Sequence, residues 1–163
     1  MAKPTKTPPS DAQLEYWLGR NLRRATNAVV ADFMEEFAQF DLRPAQFTVL
    51  VAVENNPGAS GAELSEWMDV PRTNTVVVLR ELEDRGLIER SATDQRTQAI
   101  ALTRKGKELM PRLHAAHARH RRNFDAMMSR EEKELLIALL SRIWRPDRAA
   151  RPAAAQKAKR TRS

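Results

Sequence analysis

The sequence predicts a mainly α-helical fold carrying one small β-hairpin. Three observations lead there. Apolar residues recur at three- and four-residue steps through most of the chain, which is the helical period. Capping boxes of the form S-x-x-E/Q stand at Ser10–Gln13, Ser60–Glu63 and Ser129–Glu132 and mark helix starts. Residues 87–102 break the pattern with two short apolar runs around a polar turn, as a hairpin does. The 163 residues fit one domain and can bury a core without a staple or a metal.

The first element is a long helix. Leu14, Leu18, Leu22, Ala25, Val29, Phe33, Phe37 and Phe40 form a stripe about thirty residues long, well above the mean helix length of about 11–12 residues. One domain does not easily cover such a stripe, so a second copy of the chain is expected to help. Pro44 suits the first turn of a second helix carrying Phe47, Leu50 and Val51. Asn55-Asn56-Pro57-Gly58 ends it. Ser60 opens a short helix with Leu64, Trp67 and Met68. Pro71 opens the next, residues 71–85, and Gly86 terminates it, where a left-handed cap suits glycine. Residues 87–90 form a strand, 91–96 a turn and 98–102 the returning strand. Thr103 starts a helix to about residue 126, with Leu109, Leu113, Ala116 and Phe124 on one side. The last helix carries Leu135, Leu136, Leu139, Leu140 and Ile143 before Pro146 stops it.

Two short helices joined by a three-residue turn and followed by a hairpin make a winged helix-turn-helix. Long helices flank it on both sides. Taking Thr75, Val78, Leu79 and Leu82 as the core face of helix 71–85 leaves Arg72, Thr73, Asn74, Val76, Val77, Arg80 and Glu81 outward. Arg72, Thr73 and Asn74 occupy the first turn, the part of this motif that reaches base edges. Asparagine pairs with adenine and arginine with guanine, and the two valines suit thymine methyls. These valines could equally pack on the wing.

The net charge of +7 comes largely from the ends. Residues 1–10 contribute +2 and residues 145–163 contribute +6, while 11–144 hold 19 basic against 20 acidic side chains. The case for nucleic acid therefore rests on local pattern. Both ends, 1–10 and 146–163, offer little to bury and are expected to be disordered basic tails. The C-terminal one has two readings, a segment that tracks phosphates beyond the binding site, which is favoured slightly, and a plain solvated tail. With no cysteine, disulfides, thiolate metal sites and thiol catalysis are excluded. That fits a reducing cytoplasm. No apolar run approaches the roughly 20 residues of a membrane span, and the start is no signal peptide. No phosphate-binding glycine loop, H-E-x-x-H or nucleophile–base pair is present, so an enzyme is not expected, nor a cofactor.

The stretch E-R-S-A-T-D-Q-R-T-Q-A-I-A-L-T-R-K-G, residues 89–106, resembles the wing signature of the MarR family of bacterial transcription regulators. L-R-E-L-E-D-R-G-L-I-E-R at 79–90 and R-P-A-Q-F at 43–47 are similar to it too. The resemblance spans about residues 12–144. It implies a winged helix-turn-helix over about 44–102, with dimerisation helices over about 11–40 and 103–145. It makes Arg96 the wing-tip arginine that enters the minor groove, braced by Asp94, with Arg90 at the wing's base. A guanidinium on a narrow hairpin suits the negative potential of a narrow groove. The family often has two adjacent basic residues where this chain has Arg96-Thr97, a change that weakens this contact. The resemblance further implies a homodimer on a palindromic operator, with half-sites about 34 Å apart or a multiple of that.

It also implies a repressor released by a small molecule, often a phenolic or aromatic acid, bound between the dimerisation helices and the DNA-binding lobe. Candidate contacts are Tyr16, Trp17, Arg20, Arg24, Arg43, Phe47, Trp67, His117 and His120. An aromatic wall with an arginine suits an aromatic acid. Each aromatic is equally at home in a core. His114, His117 and His120 spread over about 120° of helix, so all three do not share one ion. Arginines at 112, 119, 121 and 122 disfavour a cation there, and no metal is expected. That basic stretch suits instead a phosphorylated effector such as a coenzyme A thioester. Two rival readings stand: a non-specific architectural DNA-binding protein, and a winged-helix adaptor that binds protein.

Overall fold

The computed structural model describes residues 14–68, 70–92 and 98–144. The tails and the wing tip, with Asp94 and Arg96, lie outside the described residues. Among those described are six α-helices and one antiparallel hairpin: α1 Leu18–Glu36, α2 Pro44–Asn55, α3 Gly61–Trp67, α4 Arg72–Asp84, β1 Ile88–Ala92, β2 Gln98–Leu102, α5 Arg104–Asp125 and α6 Arg130–Trp144. They fall into two compact units that divide between His120 and Arg121.

The expected thirty-residue first helix is interrupted at both ends. Residues 14 and 15 are helical, but Trp17 is extended (φ −77°, ψ 110°). The Asn21 side chain stabilises this break by donating to the carbonyls of Glu15 and Trp17 at 2.5 and 3.1 Å. It competes with the helix for those acceptors, as asparagine does. At the other end α1 stops at Glu36 and a single 3-10 turn, Ala38–Phe40, follows. Asp41 then takes a left-handed conformation (φ 50°), which aspartate tolerates better than most residues. The stripe itself is split. Phe33, Phe37 and Phe40 are buried, whereas Leu18 and Val29 are exposed.

The helix-turn-helix follows the expected order. Ser60 caps α3: its hydroxyl accepts from Glu63 N–H, and Glu63 reaches back to Ser60 N–H at 2.8 Å. Trp67, a candidate effector contact for which a core position was the alternative, is 54% exposed at the end of α3. Gly86 takes φ +66°, the left-handed stop its position required. The first strand begins at Ile88 rather than Leu87, because Leu87 N–H still closes the helix by donating to Leu82 O at 3.0 Å. Ile88 pairs with Leu102 and Arg90 with Ile100. From the other side of β2, Gly58 N–H donates to Ile100 O and Ile100 N–H to Ala59 O. The hairpin is thereby fastened to the α2–α3 connection.

One apolar core unites these elements. Phe37, Leu42, Leu50, Leu64, Leu79, Leu82, Leu87, Ile88, Ile100, Met110 and Leu113 are among its largest fully buried side chains. Each contributes about 1.5–3 kcal/mol by leaving water. In the second unit, Ser129 and Glu132 cap α6 as expected, and Lys133 pairs with Asp125.

Candidate nucleic-acid interface and neighbouring cavity

Helix α4 starts at Pro71, whose carbonyl accepts from Asn74 and Thr75 N–H. Thr75, Leu79 and Leu82 are buried and Val78 is half-buried, so the core face is covered. Arg72, Thr73, Asn74 and Arg80 are exposed. Val76 and Val77 are 55% and 56% exposed. A groove of about 550 Å³ lies beside the first turn, lined by Ala62, Ser65, Glu66, Val70, Pro71 and Arg72. This face offers two cations, an amide, a hydroxyl and two apolar groups, a set able to read base edges.

One residue departs from the expected outward set. Glu81 turns inward to the start of α2, where Arg43 and Gln46 hold it. The Arg43 hydrogen bond, reinforced by Gln46, keeps the Glu81 carboxyl below its ordinary range despite some opposing burial. Arg90 is half-buried on β1, paired with Glu83 of α4 at 3.0 Å and donating to Gln98 at 3.4 Å.

A second cavity, about 380 Å³, lies between α1, α2 and α5. Val29, Val30 and Phe33 line it from α1, Pro44, Phe47, Thr48 and Val51 from α2, and His114, His117 and His120 from α5. The histidines are placed by their partners. His120 Nδ1 lies 2.5 Å from Asp32 Oδ2, and His114 Nε2 lies 2.7 Å from Glu54 Oε2. The His117 ring is 4.9 Å from that of Phe47, and Phe33 stacks on Phe37 at 3.9 Å. The wall is apolar with an imidazole edge, suited to a flat, largely apolar ligand.

Of the nine candidate effector contacts, Phe47, His117 and His120 meet here. The others lie elsewhere. Tyr16 is 91% exposed, Trp17 sits at the helix break, and Trp67 is on α3. Arg20 and Arg24 are on α1 but do not line the cavity, and Arg43 is committed to Glu81. The basic stretch is also partly engaged: Arg112 lies over the Phe40 ring and Arg119 pairs with Glu36 at 2.7 Å. Val29, Val30, Phe33, Pro44, Thr48, Val51 and His114 were not among those nine. Their signal was present: Pro44, Phe47, Thr48 and Val51 recur at helical spacing from the start of α2. Among the described residues, no three His, Asp or Glu side chains gather closely enough to hold a metal.

Two short helices presenting an unsatisfied outward face, a hairpin beside them and long helices behind define a winged-helix DNA-binding regulator. The comparisons agree. The MarR family model matches residues 40–97. A putative transcriptional regulatory protein for the hcr operon of Thauera aromatica is 35% identical over 133 residues, 80% of each chain. The solved structure of the transcriptional repressor CouR bound to a 23-mer DNA duplex matches with a TM-score of 0.75 at 33% identity, over 84% of this chain and 99% of that one. CouR bound to p-coumaroyl-CoA matches with 0.76 at 31% identity, over 86% and 99%. The chain belongs to the MarR family, and it is a transcriptional regulator of that type that binds DNA.

Proposed function

We propose that the chain is a homodimeric repressor that reads a palindromic operator and is released by a small aromatic or phenolic acid or its coenzyme A thioester. The observation that carries this reading is the outward face of α4. It keeps Arg72, Thr73, Asn74, Val76, Val77 and Arg80 exposed although the helix has a complete core face. Bare valines on such a helix are a liability in water and an asset against thymine methyls. Arg96, braced by Asp94, extends the contact along the wing, with Arg90 at the wing's base. The cavity supports the effector half of the reading, since it is apolar and edged by imidazoles. That CouR is a repressor crystallised with p-coumaroyl-CoA favours this effector class. Repression needs only that the bound dimer occlude polymerase.

The domain layout follows: a basic tail at 1–10, the regulator over 11–145 and a basic tail at 146–163, working in the cytoplasm. The test is binding of purified protein to its own upstream DNA in excess random competitor. It is repeated with aromatic acids and their coenzyme A thioesters. Tight binding relieved by one compound supports the reading. Affinity equal to that for random DNA overturns it in favour of an architectural role.

A further inference from the structure

The recognition helix is gripped by a polar corner. The Glu81 carboxylate accepts from the Arg43 guanidinium and, at 3.0 Å, from Gln46 Nε2. Gln46 is only 5% exposed, and its Oε1 accepts the Arg43 N–H at 2.9 Å. One buried amide therefore ties both ends of the ion pair together. One turn further on, Arg85 donates to the main-chain carbonyls of Asp41 and Phe40 at 2.5 and 2.7 Å. All these partners belong to residues 40–46, the corner between α1 and α2. The same corner supplies Pro44 to the cavity wall.

Asn74 and Glu81 are seven residues apart and so lie on one stripe of α4. The apolar contacts of Leu79 and Leu82 are non-directional and tolerate a small rotation of the helix about its axis. Charge-assisted hydrogen bonds are directional and do not. We propose that Arg43, Gln46 and Glu81 form a clamp that sets the rotation of α4, making Arg43 and Glu81 positioning residues for operator reading. This rests on the operator reading given above.

A plain electrostatic role for Glu81 predicts the opposite sign. A carboxylate on a DNA-facing helix repels phosphates, so removing it alone tightens binding to every duplex. The experiment measures Kd for the protein's own upstream operator and for a random duplex, with Glu81→Gln, Glu81→Asp, Arg43→Gln and the double variant Arg43→Gln/Glu81→Gln. The clamp predicts that each single variant lowers the operator-over-random ratio about fivefold. Glu81→Asp keeps the charge and still loses the ratio, because its carboxylate is withdrawn from both partners. The double variant loses little more than either single, since both act through one contact. An unchanged ratio in Glu81→Asp, or fully additive losses, overturns the clamp. If wild type itself shows no operator preference, the proposed function fails. The clamp is then decided by amide hydrogen exchange over 76–84, where faster exchange in Glu81→Asp supports it and unchanged exchange overturns it.

Discussion

Gly106 shows how one residue can fix a junction. A β-carbon there would stand 2.1 Å from Leu87 O, so only glycine lets α5 approach the end of the α4–β1 connection. Thr103 closes the same junction: its hydroxyl donates to Gly86 O at 2.7 Å and accepts Gly106 N–H at 3.0 Å. Gly106→Ala should therefore lower stability by about 3 kcal/mol, read as a lower urea midpoint. The L-T-R-K-G stretch was legible as a resemblance, but the need for glycine was not. It depends on a backbone atom nineteen positions away in sequence. Carboxylates supply a second residue-scale prediction. Glu63 is held below its ordinary value of 4.5 chiefly by the Ser60 backbone N–H, then by the Ser60 hydroxyl. Its folded-state value is depressed, so its contribution is present above pH 4.5 and lost as pH falls through the folded value. Glu63→Gln keeps a capping amide and loses only the charge. Wild type should be the more stable at pH 7, and the gap should close in urea titrations below pH 4.5.

Elements were legible where local sequence decides them. Capping boxes, Pro44 and Gly86 placed α2, α3, α4 and α6 because their signals act within one turn. The break at Trp17 was hidden because it depends on where the Asn21 amide points, and helical periodicity continues across it. Six of the seven residues expected on the outward face of α4 could be read from spacing alone. The inward turn of Glu81 could not, since its partners lie 35 and 38 positions away. The cavity was only partly legible for the same reason. It is assembled from three helices, whereas the arginine and aromatic candidates other than Phe47 lie on other faces. Two predictions belong at this scale. Asn74→Ala should weaken operator binding by about 1–3 kcal/mol and relax selection at one position, leaving random-duplex affinity nearly unchanged. A set of single-base operator variants reads this directly. Thr48→Phe should fill the cavity from α2, where Thr48 is exposed on its wall. Operator binding should persist, while release by an active aromatic thioester should need at least about tenfold more compound in an anisotropy titration.

At the scale of the whole molecule, the question is what covers the apolar surface that the chain leaves open. Leu18, Val29, Val30 and Met34 on the N-terminal side are exposed, and so are Leu135, Leu136, Ile137, Leu139 and Ile143 on α6. A run of five such side chains on one fifteen-residue helix is more than scattered surface leucines explain. The homodimer proposed above accounts for them, since in that proposal a two-fold dimer also places two recognition helices for a palindrome. The benefit is geometric. Once one half-site is held, the second protomer sees its own at millimolar effective concentration, worth about 10²–10⁴ in affinity. Leu139→Glu places a charge in that surface and should shift the protein to monomer in sedimentation velocity. Operator affinity should fall by about the same 10²–10⁴. Affinity for a random duplex should fall less, since it depends on the number of phosphates contacted and not on matching two half-sites. A variant that stays dimeric, or a monomer that still binds the operator tightly, would sink this assembly. The first outcome removes α6 from the interface; the second removes the need for two half-sites.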